Sequence, residues 1–131
     1  MSERSKFASV VIARAPAEVY EYVVDPAHLP EWAAGVASGI ERRDGRWVAK
    51  SPMGEIELRF APRNEFGVLD HDVVMPDGTV YYNPMRVVPH EGGSEVVFGV
   101  RRPTGASDVA WEADVAAVQH DLETLARVLE P

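Results

Sequence analysis

The feature that most constrains the fold is one long amphipathic helix, predicted at the C-terminal end of the sequence. Between residues 107 and 129, apolar residues recur at alternating intervals of four and three, which places them on one stripe of a helix. Ser107 is a suitable N-cap, and Asp108 follows it where a negative charge suits the helix dipole. Because this helix must bury its stripe, we expect it to lie on a broad apolar surface. The stripe consists of Trp111, Val115, Val118, Leu122, Leu125 and Leu129.

The sequence before this helix predicts mainly strands and turns. Short apolar runs and alternating stretches are separated by turn signals, among them Asp44-Gly45 and Pro76-Asp77-Gly78. We therefore predict an α+β fold in which a curved antiparallel sheet of seven strands wraps around the long C-terminal helix, with room for a ligand between them. The predicted strands are 6–14, 36–43, 46–51, 54–63, 67–75, 79–88 and 94–102, and two short helices, 16–24 and 28–34, follow the first strand.

Length and composition favour one ordinary globular domain. The chain has 131 residues, of which 46% are hydrophobic and 26% charged, so we expect a single domain spanning 1–131. The absence of cysteine excludes disulfides and thiolate metal sites. A net charge of −8 disfavours a nucleic-acid partner. We see no signal peptide and no apolar run near the ~20 residues that span a bilayer, and expect a cytoplasmic monomer or homodimer.

Three short motifs resemble a known superfamily. Residues 12–20 read IARAPAEVY, and they are followed by Asp25-Pro26 and by Pro30-Glu31-Trp32. Together with the order of predicted elements, these motifs are similar to the N-terminal signature of the START/SRPBCC superfamily, whose fold is the helix-grip. Residues 64–71, NEFGVLDH, resemble its polyketide cyclase/dehydrase-like subgroup. The resemblance implies the fold over nearly the whole chain. It implies no single activity, because the superfamily includes lipid carriers, hormone receptors, aromatase/cyclases and co-chaperones.

Turn geometry predicts which residues face each other across the last two hairpins. A three-residue turn at residues 76–78 places His71 opposite Asn83, and the next hairpin places Met85 opposite Phe98. Directly opposed side chains share one face of a sheet, so His71 and Asn83 should form a polar pair on a mostly apolar inner surface. A slip of one residue in either turn would reverse this assignment.

His71 is the candidate catalytic residue. It could act as a general acid/base or donate a hydrogen bond to a ligand carbonyl, oriented by Asn83, because imidazole titrates near neutrality. The structural alternative is a buried histidine whose hydrogen bonding is satisfied by Asn83 or by a backbone carbonyl. The other candidate ligand-binding residues, each with simple packing as its alternative, are Trp32, Met53, Leu58, Phe60, Tyr81, Met85, Phe98, Trp111 and Val115.

The sequence leaves three classes of function open. The first is a protein that binds a lipid-like or an aromatic, polyketide-like ligand in an apolar cavity without covalent chemistry. The second is an aromatase/cyclase-like enzyme that uses His71 with Asn83 or Tyr81. The third is a co-chaperone-type interaction module, which would need an exposed apolar patch. The four histidines lack metal-ligand spacing and no phosphate loop is present, so we expect neither a metal nor a cofactor.

Overall fold

The computed structural model describes residues 4–130, and within them it has the predicted order of elements. Strand β1 comes first, a group of short helices follows, seven further strands come next, and the long helix α3 is last. The strands are β1 (Ser5–Ile12), β2 (Ile40–Arg43), β3 (Arg46–Ser51), β4 (Gly54–Phe60), β5 (His71–Val74), β6 (Val80–Asn83), β7 (Met85–His90) and β8 (Gly93–Arg101). The helices are α1 (Pro16–Val23), α2 (Leu29–Trp32) and α3 (Asp108–Leu129).

The described strands form two antiparallel sheets that together make the curved grip. One has three strands in the order β1-β8-β7, and the other has five in the order β2-β3-β4-β5-β6. We expected seven strands and the structure has eight, because the predicted strand 79–88 is divided at Pro84. Proline has no N–H to donate to a ladder, so a strand is readily interrupted there. The helix-grip fold is otherwise as predicted.

Helix α3 packs against the three-stranded sheet through its apolar stripe. It contacts β1 and β8, and Trp111, Leu122 and Leu125 are at most 2% exposed. Burying large side chains of this kind contributes roughly 1.5–3 kcal/mol each. The Ser107 hydroxyl accepts a hydrogen bond from the N–H of Ala110, as expected for an N-cap. We expected Val118 to be buried too, but it is half-buried.

The short helices begin where proline and aspartate favour them. Pro16 occupies the first turn of α1, and the Asp25 carboxylate accepts a hydrogen bond from the N–H of Ala27. The second predicted helix, 28–34, is shorter than expected, since α2 covers only Leu29–Trp32 and is flanked by the 3-10 turns Pro26–His28 and Ala34–Val36. Because the chain is still helical at residue 36, β2 begins at residue 40 instead of 36.

The loop before β5 is held by Asn64. Its Oδ1 accepts hydrogen bonds from the N–H groups of Phe66 and Val68, and its Nδ2 donates to the carbonyl of Val68. Gly67 has a positive φ of 71°, and a Cβ on it would lie 2.3 Å from the carbonyl oxygen of Val87. Glycine is therefore required there. These contacts fix where the chain enters β5.

Asp70 joins the two sheets at the point where Pro84 divides the strand. The hydroxyl of Tyr82 in β6 donates to this carboxylate, as does the N–H of Met85 in β7 at 2.8 Å. The guanidinium of Arg86 adds two further hydrogen bonds, at 3.0 and 3.2 Å. One carboxylate thus holds both sides of the interruption.

We predict that Asp70→Asn destabilises the fold by about 2 kcal/mol at neutral pH. Partial burial raises the pKa of Asp70, but the hydrogen bonds from Arg86, Tyr82 and the Met85 N–H outweigh it and lower the pKa from 3.8 to about 2. The charged form therefore stabilises the fold above about pH 4, and this stabilisation is lost as the pH falls through about 2. Urea unfolding should show the difference between wild type and variant shrinking over that range.

The matched control for this prediction is Asp72→Asn. Asp72 lies two residues along the chain, and its carboxylate accepts no hydrogen bond from any residue between 4 and 130. The substitution Asp72→Asn should therefore change the free energy of unfolding much less than Asp70→Asn does. Equal effects of the two substitutions would contradict the role given to Asp70.

Candidate functional site

A cavity of about 470 Å³ lies between helix α3, the α2 segment and the five-stranded sheet. Strands β4, β5 and β6 supply one wall, and Phe98 of β8 adjoins them. Val118 and Asp121 of α3 also line the cavity, as does the segment around Trp32. The β3–β4 turn, with Met53 70% exposed, lies at the rim.

Six of the predicted site residues line this cavity. They come from α2, the β3–β4 turn and strands β4, β5, β6 and β8, so the fold brings together residues far apart in the sequence. The predicted pairing is confirmed, because His71 is the register partner of Asn83 and Met85 is that of Phe98. The six residues are Trp32, Met53, Leu58, His71, Asn83 and Phe98.

The other predicted site residues lie outside the cavity lining. Met85 and Trp111 are fully packed in the core, where the indole N–H of Trp111 donates to the Val100 carbonyl at 3.2 Å. Val115 is half-buried against the core. Tyr81 faces the same side as its partner in β5, but it lies on the edge strand β6 and is 41% exposed.

Phe60 acts on the cavity indirectly, by packing against His71. The two residues are register partners in β4 and β5, and their rings stack with centroids 4.8 Å apart. On another side, Phe98 contacts the same imidazole edge-on at 5.5 Å. His71 is therefore held between two aromatic rings, and only 7% of it is exposed.

The hydrogen bond of His71 fixes its tautomer. Its Nδ1 lies 3.0 Å from the carbonyl oxygen of Leu69, which can only accept, so the proton is on Nδ1. Burial lowers the pKa of His71, although the Leu69 carbonyl and the charges of Asp70 and Asp72 oppose this shift. The ring is therefore neutral at pH 7, and its Nε2 is a hydrogen-bond acceptor. This differs from the expected donor to a ligand carbonyl.

The side chain of Asn83 is available to a ligand. It lies across from His71, at a separation of about 4.5–5.5 Å between Cβ atoms for a directly opposed pair. The backbone carbonyl of Leu69, and not Asn83, satisfies Nδ1 of His71. Neither Nε2 of His71 nor the Asn83 amide has a hydrogen-bond partner among residues 4–130. Two adjacent polar groups on this wall are thus unused by the protein.

Asp121 connects helix α3 to the 3-10 turn that follows α2. Its carboxylate accepts a hydrogen bond of 3.2 Å from the N–H of Ala34. Burial raises the pKa of Asp121, and the hydrogen bond from Ala34 partly opposes this shift. Nearby, the indole N–H of Trp32 is the one buried side-chain polar atom without a partner in the described part of the chain.

Several lining residues were not predicted, although some had a signal in the sequence. Ile56 and Val73 lie two positions from Leu58 and His71, so strand alternation already placed them on the same face. The helix stripe predicts that Val118 is buried, because the periodicity of a helix does not show that a cavity lies between this residue and the sheet. In the segment around α2, the sequence predicted Trp32 but gave no signal for Leu29, Ala33 and Val36. The main additions are Leu29, Ala33, Val36, Ile56, Val73, Met75, Val118 and Asp121.

Between residues 4 and 130, no three histidine or acidic side chains are grouped so that they could hold a metal ion. Over the same range, no helix has the length and apolar character needed to cross a bilayer.

The chain belongs to the family described as polyketide cyclase/dehydrase and lipid transport, whose model matches residues 7–130. This assigns it to the START-like class that the sequence motifs indicated. No curated protein matches the sequence. The family description covers both enzymes and carriers, so membership establishes a ligand-binding fold without choosing between them.

Solved structures agree with this fold. XoxI from Bacillus cereus superposes with a TM-score of 0.75 at 18% identity, over 97% of this chain and 96% of that one. A START superfamily protein from Mycobacterium smegmatis gives 0.73 at 12% identity, over 98% of both chains. DynU16, from the dynemicin biosynthetic locus, gives 0.74 at 14% identity over 98% of this chain, which spans only 48% of that protein. Identities this low show the fold alone.

We predict that His71 remains neutral with its proton on Nδ1 when the pH is lowered to its ordinary pKa of 6.5. Burial penalises the charged ring, so protonation requires a lower pH than in the unfolded chain. Two-dimensional ¹H–¹⁵N NMR of the imidazole nitrogens, with His71→Gln for assignment, measures both properties. A ring that is half protonated at or above pH 6.5, or protonated on Nε2 when neutral, would be inconsistent with this geometry.

Proposed function

We propose that this protein binds an uncharged, mostly apolar small molecule in the cavity between α3 and the five-stranded sheet. The observation that carries the proposal is the cavity itself, whose volume of about 470 Å³ lies in the usual range for ligand sites of about 300–1,000 Å³. Most of its lining is aliphatic or aromatic, and two of its few polar side chains, His71 and Asn83, are adjacent on the sheet wall. That combination is typical of a site in which shape provides affinity and a few polar groups provide orientation.

The aromatic side chains favour a flat ligand. Trp32 lies at one end of the cavity, and Phe98 lies beside His71 on the sheet. Aromatic rings pack well against other rings in offset or edge-on arrangements. Met53 and Met75 add flexible side chains, which can adapt to different ligand outlines. We therefore place an aromatic or polyketide-like molecule ahead of a long-chain lipid.

A cyclase-like enzyme is the second candidate, and one observation favours it. The neutral imidazole of His71, with Nε2 unpaired by the described chain, could accept a proton from a substrate. However, no carboxylate is hydrogen-bonded to the ring, and Asp70 is engaged by Tyr82 and Arg86 on its own side of the strand. A base without a charged partner is only weakly activated. Binding without covalent chemistry is therefore our first proposal.

We expect Val118→Phe to weaken the binding of an apolar fluorescent probe, N-phenyl-1-naphthylamine, by about tenfold, the equivalent of ~1.4 kcal/mol. The larger ring would occupy space that Val118 leaves open on the wall formed by α3. Fluorescence titration measures the dissociation constant, and thermal unfolding confirms that the variant is folded.

Val109→Phe is the matched control for this experiment. It makes the same substitution on the same helix, but Val109 is 78% exposed and does not line the cavity. It should leave probe binding unchanged. If wild type fails to bind the probe, or if both variants bind it as tightly as wild type does, the cavity is not the binding site.

A further inference from the structure

We infer that the ligand carries a hydroxyl group held between His71 and Asn83, and that it has no formal charge. In this arrangement the hydroxyl donates its proton to Nε2 of His71, and its oxygen accepts a hydrogen bond from the side-chain amide of Asn83. The inference rests on the proposed function and refines it, because it names the chemical class of the ligand: a hydroxylated aromatic compound or a similar neutral alcohol.

The need for a donor follows from the tautomer of His71. The Leu69 carbonyl holds the proton on Nδ1, so Nε2 presents a lone pair and no hydrogen. A wholly apolar ligand placed against it would remove water from this lone pair without replacing the hydrogen bond, which is unfavourable. A carbonyl or ether oxygen would face the lone pair with another lone pair. A hydroxyl is the simplest neutral group that satisfies it.

The position of Asn83 makes a hydroxyl a better match than a lone N–H donor. Asn83 and His71 are register partners on one face of the sheet, and both line the cavity. The amide of Asn83 can donate as well as accept, and it has no hydrogen-bond partner within residues 4–130. A hydroxyl both donates and accepts, so one ligand group can satisfy both side chains.

The charges around the cavity exclude anionic ligands. No lysine or arginine lines it, and Asp121 is the one carboxylate among its lining residues. A carboxylate or phosphate group inside would therefore lack a cationic partner, would lie in apolar surroundings and would be repelled by Asp121. A cationic ligand would meet Asp121 as its one counter-charge among the lining residues, and that carboxylate already accepts a hydrogen bond from the N–H of Ala34. The rest of the lining would offer the cation only apolar surroundings, which is unfavourable.

The experiment compares three ligands of similar shape in displacing N-phenyl-1-naphthylamine from the wild-type protein. They are 1-naphthol, which has the hydroxyl; 1-methoxynaphthalene, which has the oxygen but no donor; and 1-naphthoate, which is charged. We expect 1-naphthol to bind about fivefold more tightly than 1-methoxynaphthalene, as one additional hydrogen bond allows. We expect 1-naphthoate to bind more weakly than either.

Variants of His71 and Asn83 then test whether these two side chains cause the preference for 1-naphthol over 1-methoxynaphthalene. His71→Phe keeps an aromatic ring between Phe60 and Phe98 but removes the acceptor, so it should abolish the preference for 1-naphthol. His90→Phe makes the same change at an exposed position, the last residue of β7, and should retain the preference. Asn83→Leu should reduce the preference by about half or more, and it tests the site independently if His71→Phe does not fold.

The outcomes separate this inference from the proposed function. If 1-methoxynaphthalene binds wild type as tightly as 1-naphthol or more tightly, the hydroxyl site is wrong, while the apolar cavity still binds ligands. If 1-naphthoate binds as tightly as 1-naphthol, the requirement for a neutral ligand is wrong. If none of the three displaces the probe, the proposed function fails together with this inference.

Discussion

The cavity depends on where helix α3 lies. This helix buries Trp111, Leu122 and Leu125, and the sheet against which it packs is the three-stranded one, through β1 and β8. The side-chain amide of Gln119 adds two hydrogen bonds to the backbone of Ser9 in β1, at 2.9 and 3.2 Å. Because the helix is fixed to that side, the inner face of the five-stranded sheet is not covered by it. The uncovered face becomes one wall of the cavity.

Asp70 and His71 are consecutive residues where β5 begins, and their side chains lie on opposite faces of the sheet. On one side, Asp70 joins the sheets through Tyr82, Arg86 and the Met85 N–H. On the other, His71 is enclosed by aromatic rings and lines the cavity. Alternation along one strand thus separates a charged structural contact from a neutral imidazole. This separation explains why the two aspartates that flank His71 do not hydrogen-bond to its ring.

Much of the fold could be predicted from local sequence patterns. The period of the helix stripe, the N-cap and the turn at residues 76–78 determined α3 and the pairing of His71 with Asn83 correctly. The misassignments of Met85 and Trp111 have a different origin. Both residues lie on inward faces, but which part of the inner surface stays open depends on how α3 packs against the sheets. No local pattern carries that information.

The tautomer of His71 depends on the exact position of a backbone carbonyl. Alternation indicated that His71 faces inward, but only the approach of the Leu69 carbonyl shows which nitrogen is left for a ligand. The sequence therefore predicted the inward position of His71, but not which of its ring nitrogens is free of a protein partner.

The most direct test of the central claim is a methyl NMR titration of the protein with naphthalene. The account predicts that the methyl signals of Ile56, Leu58, Val73 and Val118, which line the cavity, shift with one common dissociation constant. The methyl signals of Val19 and Val23, buried in helix α1 outside the cavity lining, should stay in place. Shifts confined to exposed residues, or no shifts at saturating naphthalene, would contradict the claim that this cavity binds apolar ligands.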